Sequence, residues 1–254
     1  MRKLLRQLMH FVRRSVLKLR LMGVRRKDVD EYRSILVIAP HPDDEIIGMG
    51  GHIIRQIRSG NKVCVVYLTD GEKSLNDIDP SDVARQRYRI AGQVRDVIGL
   101  SPDDVSWLHL PDGSIPRSGS EGFGRIVEQL SCILKEVAPE AVYVTHPLEI
   151  WPYDHIAAFE LAEQAVRQSA LDIDLYGYWV WLWYSMPLKY LAAINWNNII
   201  RLPIRDVKNE KRALMDMYLK PAAPDGRPWS GNLPKSMLKA HDYPYEVVGK
   251  FDFL

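Results

Sequence analysis

An imidazole and three carboxylates (His41, Asp43, Asp44 and Glu45) fall within five residues of the run Ala39-Pro40-His41-Pro42-Asp43-Asp44-Glu45, directly behind the apolar stretch Ile35-Leu36-Val37-Ile38. Acids packed this closely beside a histidine repel one another and resist desolvation unless a cation sits among them. A second group of the same kind lies in His146-Pro147-Leu148-Glu149-Ile150-Trp151-Pro152-Tyr153-Asp154-His155, again behind an apolar run, Ala141-Val142-Tyr143-Val144. Mixed nitrogen and oxygen donors suit zinc, which in catalytic sites usually takes three protein ligands and a water. Iron(II) and other divalent ions accept the same donors. Each cluster also admits a plainer reading. Asp43 or Asp44 can cap a helix over Glu45–Arg58, and Asp154 can cap one that starts at His155.

Two such clusters make one site only if a frame brings their loops to one edge. Strand-like runs alternate with helix patterns from Ser34 to about Arg167, with helices expected over Glu45–Arg58, Val83–Val97, Gly122–Val137 and His155–Arg167. That alternation predicts an α/β fold, with a mainly parallel, Rossmann-like sheet and helices on both faces, in one domain over residues 28–254. In open sheets of this type the chemistry collects at the carboxyl ends of the strands. A chain of 254 residues with 46% hydrophobic content can bury one sizeable core. No Gly-x-Gly-x-x-Gly follows the first strand, which removes a dinucleotide-binding reading. Cys64 and Cys132 sit in apolar stretches, are expected to be buried thiols, and point to a reducing compartment.

The two motifs together resemble those of the PIG-L/LmbE family of metal-dependent N-deacetylases, whose signature is Ala-His-Pro-Asp-Asp-Glu followed later by Asp-His. Pro40 is the one intrusion in the first motif, and the likeness runs from about Ser34 to Tyr218. The resemblance implies His41, Asp44 and His155 as ligands of a divalent ion, zinc being expected, with Asp43 as general base. A carboxylate in that position takes a proton from water and returns it to the leaving amine. Asp154, one residue before a ligand histidine, suits an outer partner that orients an imidazole. The resemblance further implies that Arg87 and Asp112 contact substrate. Against this, Arg85, Arg87 and Arg89 cannot all face one way on a helix, so most are expected in solvent. Asp112 also fits an ordinary Pro-Asp-Gly turn.

The implied reaction is hydrolysis of the N-acetyl group of an N-acetylglucosamine-type amino sugar by a zinc-dependent N-deacetylase. Many family members carry a histidine two or three residues before Asp-His to meet the oxyanion; here those positions are Pro152 and Tyr153. Tyr153, His146 or His241 are the candidate substitutes. The altered loop keeps open a non-catalytic metal- or carbohydrate-binding member of the same fold, and a hydrolase of a non-sugar amide is the other alternative.

Residues 1–27 form a separate basic, amphipathic segment with ten Lys and Arg and no acid; set against 34 bases and 32 acids overall, this leaves residues 28–254 at net −8. Leu5, Leu8, Met9, Val12, Val16 and Leu19 fall near helical spacing. Such a helix suits an anionic membrane surface. The expectation is a cytoplasmic chain with peripheral contact at the inner face of the membrane and a lipid-linked or envelope-glycan substrate. Arg13, Arg14 and Lys18 interrupt any signal-peptide core. No reading helix or zinc-finger spacing supports a nucleic-acid partner. In the aromatic-rich part, 175–254, Tyr176–Tyr184 alternates as one strand whose rings either stay buried or line a groove, and Pro221 to Pro234 reads as a loop that could cover the site.

Overall fold

The protein is described here by a computed structural model that covers residues 2–27 and 32–252. Eight strands form one sheet: β1 (Arg25–Arg26), β2 (Ser34–Ala39), β3 (Lys62–Thr69), β4 (Val105–Leu110), β5 (Ala141–Thr145), β6 (Asp174–Tyr178), β7 (Ile199–Pro203) and β8 (Tyr245–Phe251). Their spatial order is β1-β7-β8-β6-β5-β2-β3-β4, and every pairing is parallel except the two made by β8. The chain thus winds outward from β2 to β4 and returns to lay β5 on the other side of β2. At that reversal the loops leaving β2 and β5 open side by side, the usual ligand crevice of an open parallel sheet.

The pleat of β2 divides the core. Ile35, Val37 and Ala39 pack under helices α2 (Asp44–Arg58), α3 (Pro80–Ile98) and α7 (Lys208–Leu219). Leu36 and Ile38 face α4 (Phe123–Val137) and α5 (Tyr153–Ser169) on the opposite side. Alternate residues of a strand point to opposite faces, so an almost continuous apolar run is what a two-sided strand requires. The expected helices are all present, each extended or trimmed by a few residues at its ends.

Two expectations fail. Cys64 is buried, but Cys132 is exposed, because its position on α4 lies off the stripe of Ile126, Val127, Leu130 and Leu134 that meets the sheet. The aromatic run Tyr176–Tyr184 is not one strand. β6 stops at Tyr178, and the backbone N–H groups of Val180 and Leu182 donate to the Glu149 carboxylate at 2.6 and 2.8 Å. The chain then turns into the short helix α6 (Leu182–Ser185). Trp179 and Trp183 enter one apolar cluster, whereas Trp181 enters another.

Helix α1 (Arg2–Leu21) packs on the body through Leu17 and Leu21, which join Trp179, Leu182 and Trp183. Its outward side chains stay in solvent: Leu8, Met9, Phe11, Val12 and Leu19 are all exposed, Leu19 by 70%. The side chain of Leu5 lies outside the described residues.

His52, His146 and His241 are buried, and burial pushes the pKa of each down to about 3. A depressed histidine holds its stabilising effect above the ordinary value of 6.5 and loses it as the pH falls toward the folded value, because only the unfolded chain takes the proton. H52Q is therefore expected to lose less stability than the native chain between pH 6.5 and about 3, read as the difference in denaturant midpoints.

Candidate active site

Both clusters converge at the switch point. His41 follows β2, Asp44 opens α2, and His155 lies in the first turn of α5. The Asp44 Oδ2 atom is 3.1 Å from His41 Nδ1 and 3.3 Å from His155 Nε2, and the two imidazole centroids are 5.5 Å apart. His155 is fully buried, and its Nε2 has no hydrogen-bond partner. A buried nitrogen left bare and facing a carboxylate is what a metal ligand set looks like before its ion is counted. Burial opposes charge on His155, yet Asp44 and Glu149 outweigh it and pull its pKa up to about 9. The field that holds a proton there suits a divalent cation equally well.

His41 Nε2 also lies 3.2 Å from both Asp112 Oδ1 and Asp154 Oδ2, a second group of donors that could hold an ion. Asp154 is already engaged at both oxygens, which accept from Gly113 N and Ile115 N, and the Asp112 oxygen turned away from His41 accepts from Lys73 N. The bare His155 nitrogen favours the His41, Asp44 and His155 set. Asp154 does not cap α5, whose N-cap position is Pro152, and it meets His41 instead of its neighbour His155. Asp43 occupies the N-cap position of α2 without capping it through its side chain. The capping readings fail because these carboxylates are turned toward the imidazoles and Arg87.

Asp43 adopts φ 146°, a conformation that costs a side-chain-bearing residue roughly 1–3 kcal/mol and persists only when neighbours over-determine it. Its N–H donates to Glu45 at 3.0 Å, and the other Glu45 oxygen accepts from Tyr218 at 2.6 Å. Arg87 lies 3.3 Å from the Asp43 carboxylate and donates to the Pro42 carbonyl at 2.7 Å. Burial lifts the Asp43 carboxyl to about 6 against the pull of Arg87. Arg85 and Arg89 are exposed, as the helix geometry requires, while Arg87 is buried and its guanidinium rests against Gly71. A Cβ at Gly71 would sit 2.6 Å from Arg87 Cζ, and φ +65° there also favours glycine.

A cavity of about 310 Å³ holds His41, Asp43, Asp44, Arg87 and Asp112. None of the three substitutes for the oxyanion histidine lines it. Tyr153 is exposed and carries Arg117 over its ring; His241 Nε2 donates to the Val180 carbonyl at 3.1 Å. His146 lines a different cavity, its ring lying across Gly177 and Gly249. Lys73 and Asn232 are among the donors that do line the site, supplied by loops that short motifs do not mark. The segment Ser230–Leu233 forms one wall, with Ser74 Oγ donating to Trp229 O at 2.7 Å. Of the aromatic run, Trp181 reaches the cavity and packs on Trp151, which also lines it, at 4.7 Å. Glu149 is the other residue that the sequence reading left without a role. Its carboxylate meets His155 Nδ1 at 2.6 Å, a contact made within the β5-to-α5 connection that the residue spacing does not mark.

The family profile of PIG-L, GlcNAc-PI de-N-acetylase, matches residues 36–166, just over half the sequence, and the chain belongs to that family. A 1D-myo-inositol 2-acetamido-2-deoxy-alpha-D-glucopyranoside deacetylase from Kineococcus radiotolerans is 30% identical over 173 residues, covering 57% of this chain and 47% of its own. The matched region spans about half the length of the curated relatives. Among solved structures, N,N'-diacetylchitobiose deacetylase from Pyrococcus horikoshii is similar with TM-score 0.54 and 25% identity, over 74% of this chain and 70% of its own. A 4-carboxy-2-hydroxymuconate hydratase from Pseudomonas putida shares the fold at TM-score 0.61 and 17% identity, over 87% of this chain and 98% of its own. The fold by itself therefore does not fix the reaction.

Proposed function

We propose that this PIG-L family chain is a divalent-metal amide hydrolase that removes the acetyl group from an N-acetylglucosamine-type amino sugar. The observation that carries the reading is the bare, buried Nε2 of His155 facing Asp44, with Asp43 in the same cavity. A divalent ion held by His41, Asp44 and His155, zinc or iron(II) by donor type, would polarise the acetamide carbonyl and acidify a water. Asp43 takes a proton from the attacking water and returns it to the nitrogen as the C–N bond breaks. The new C–O bond makes acetate, and the sugar leaves as a free amine. Arg87 holds the Asp43 carboxylate, and Asp112 and Asp154 orient His41. Lys73 and Asn232 line the cavity and are the donors assigned to the developing oxyanion, and the Trp151 and Trp181 rings offer apolar faces to a sugar. The deacetylase relatives support this reading.

The test is acetate release from N-acetylglucosamine, diacetylchitobiose and N-acetylglucosaminyl-inositol beside a panel of non-sugar amides. Turnover confined to the sugars supports the proposal. Turnover confined to the other amides, or metal and sugar binding without turnover, overturns it in favour of one of the two alternatives.

The finer substrate class we assign is a lipid-linked or envelope-glycan precursor met at the inner face of an anionic membrane. Its support is the outward face of α1: Leu8, Phe11, Val12 and Leu19 are exposed on a segment that carries ten bases and no acid. Rings join that helix to the site, His10 stacking on Tyr184, Tyr184 packing on Trp181, and Trp181 on Trp151 at the rim. No helix among the described residues is long and apolar enough to cross a membrane, so the contact would be interfacial. F11E is expected to reduce co-sedimentation with phosphatidylglycerol vesicles at least about tenfold while leaving turnover of soluble substrate unchanged. Equal binding by the variant would sink this finer assignment and leave the chemistry untouched.

A further inference from the structure

The geometry points to Glu149 as the residue that selects the metal-binding tautomer of His155, and we propose it as a positioning residue for the ion. This rests on the reading of His155 as a ligand. Glu149 is fully buried, and its two oxygens have different tasks. Oε1 accepts from the backbone N–H of Val180 at 2.6 Å and of Leu182 at 2.8 Å; Oε2 lies 2.6 Å from His155 Nδ1. A carboxylate only accepts, so the hydrogen between Oε2 and the ring belongs to Nδ1. With Nδ1 protonated, the neutral imidazole presents its lone pair at Nε2, the atom 3.3 Å from Asp44.

A turn built for the purpose presents the carboxylate. The Glu149 N–H donates to the His146 carbonyl at 2.9 Å, and the Leu148 N–H donates to His146 Nδ1 at 3.2 Å. The His146 ring lies across Gly177 and Gly249, where an added Cβ would stand 3.0 Å from His146 Cα and 3.2 Å from His146 Nε2 respectively. Two glycines in neighbouring strands thus make room for the histidine whose turn aims Glu149. The same Oε1 bonds end the ladder of β6, so the segment that carries Trp181 to the cavity and the tautomer of His155 depend on one side chain.

E149Q separates this role from packing. The substitution keeps the size and shape of the side chain. Val180 and Leu182 are both donors, so they require the amide oxygen and turn the amide NH₂ toward His155. Nδ1 must then accept, which places the hydrogen on Nε2 and blocks ligation. The opposite flip sets the NH₂ against two N–H groups. The decisive experiment measures zinc affinity by chelator competition for the native chain, E149Q and H155A. Nitrogen-15 NMR of the histidine rings in the zinc-loaded native chain accompanies it. The expected result is about 10- to 100-fold weaker zinc binding in E149Q, the usual cost of losing an outer partner, with a directly bonded hydrogen on His155 Nδ1 in the native chain. Native zinc affinity in E149Q overturns the proposal, as does a native His155 that carries its hydrogen on Nε2. The NMR result stands even if E149Q fails to fold. If H155A keeps native zinc affinity, it is the ligand reading itself that fails.

Discussion

Asp43→Asn is expected to lower acetate release by about 10²- to 10⁴-fold, the range associated with removing a general base, while the divalent ion remains bound. Asparagine has the same shape and tolerates positive φ better than most residues, so the 146° conformation of this position is not the source of the loss. The N–H bond to Glu45 survives the change, and Arg87 keeps the Pro42 carbonyl. What disappears is the ability to take a proton. Ion content measured on the same preparation separates that loss from a damaged site. Turnover within a factor of a few of native would remove Asp43 from the proton path.

The second large effect concerns the ion itself. The native chain is expected to hold about one divalent ion, with affinity reduced more than about 100-fold in His41→Ala and in His155→Ala, beyond the range for loss of an outer partner. The two variants differ in what else they disturb. Removing His155 leaves Glu149 buried without its ring partner, and breaking a buried charged pair costs about 3–5 kcal/mol. The His41 side chain is 14% exposed and sits at the cavity, so its truncation is the milder test of ligation. Elemental analysis of all three proteins, with thermal unfolding of the ion-free forms, decides the matter. Full ion content in both variants would rule out this ligand set.

The two predictions differ in how far the sequence already carried them. His41, Asp43 and Asp44 are neighbours in one loop, so their meeting needs only that the preceding run be a strand. His155 needs one further step, a second strand beside the first, and alternating apolar runs and helix patterns were enough to expect it. Arg87 was harder. Three arginines spaced by two could not all be buried, and the buried one is identified by its fit against Gly71 and Pro42, which belong to two other loops.

Contacts between strands far apart in sequence were not legible. His146 looked like a spare catalytic group because it stands in a histidine-rich loop, yet it turns onto Gly177 and Gly249 in β6 and β8. Asp154 is expected to orient an imidazole, but which one is not written in the spacing: it meets His41, 113 positions away, and not its neighbour His155. The alternating aromatics predicted one long strand, but a buried carboxylate from another loop took the N–H groups that would have continued it.

From the sequence alone came the donor types, the loops that carry them, the two-faced parallel sheet and the family likeness, because periodicity and loop motifs are local properties of a chain. Only the tertiary structure decided which carboxylate orients which imidazole, which arginine is buried and which tryptophans reach the cavity. Those outcomes depend on the order of strands in the sheet and on buried donors finding acceptors across it, and neither is written in the spacing of residues along the chain.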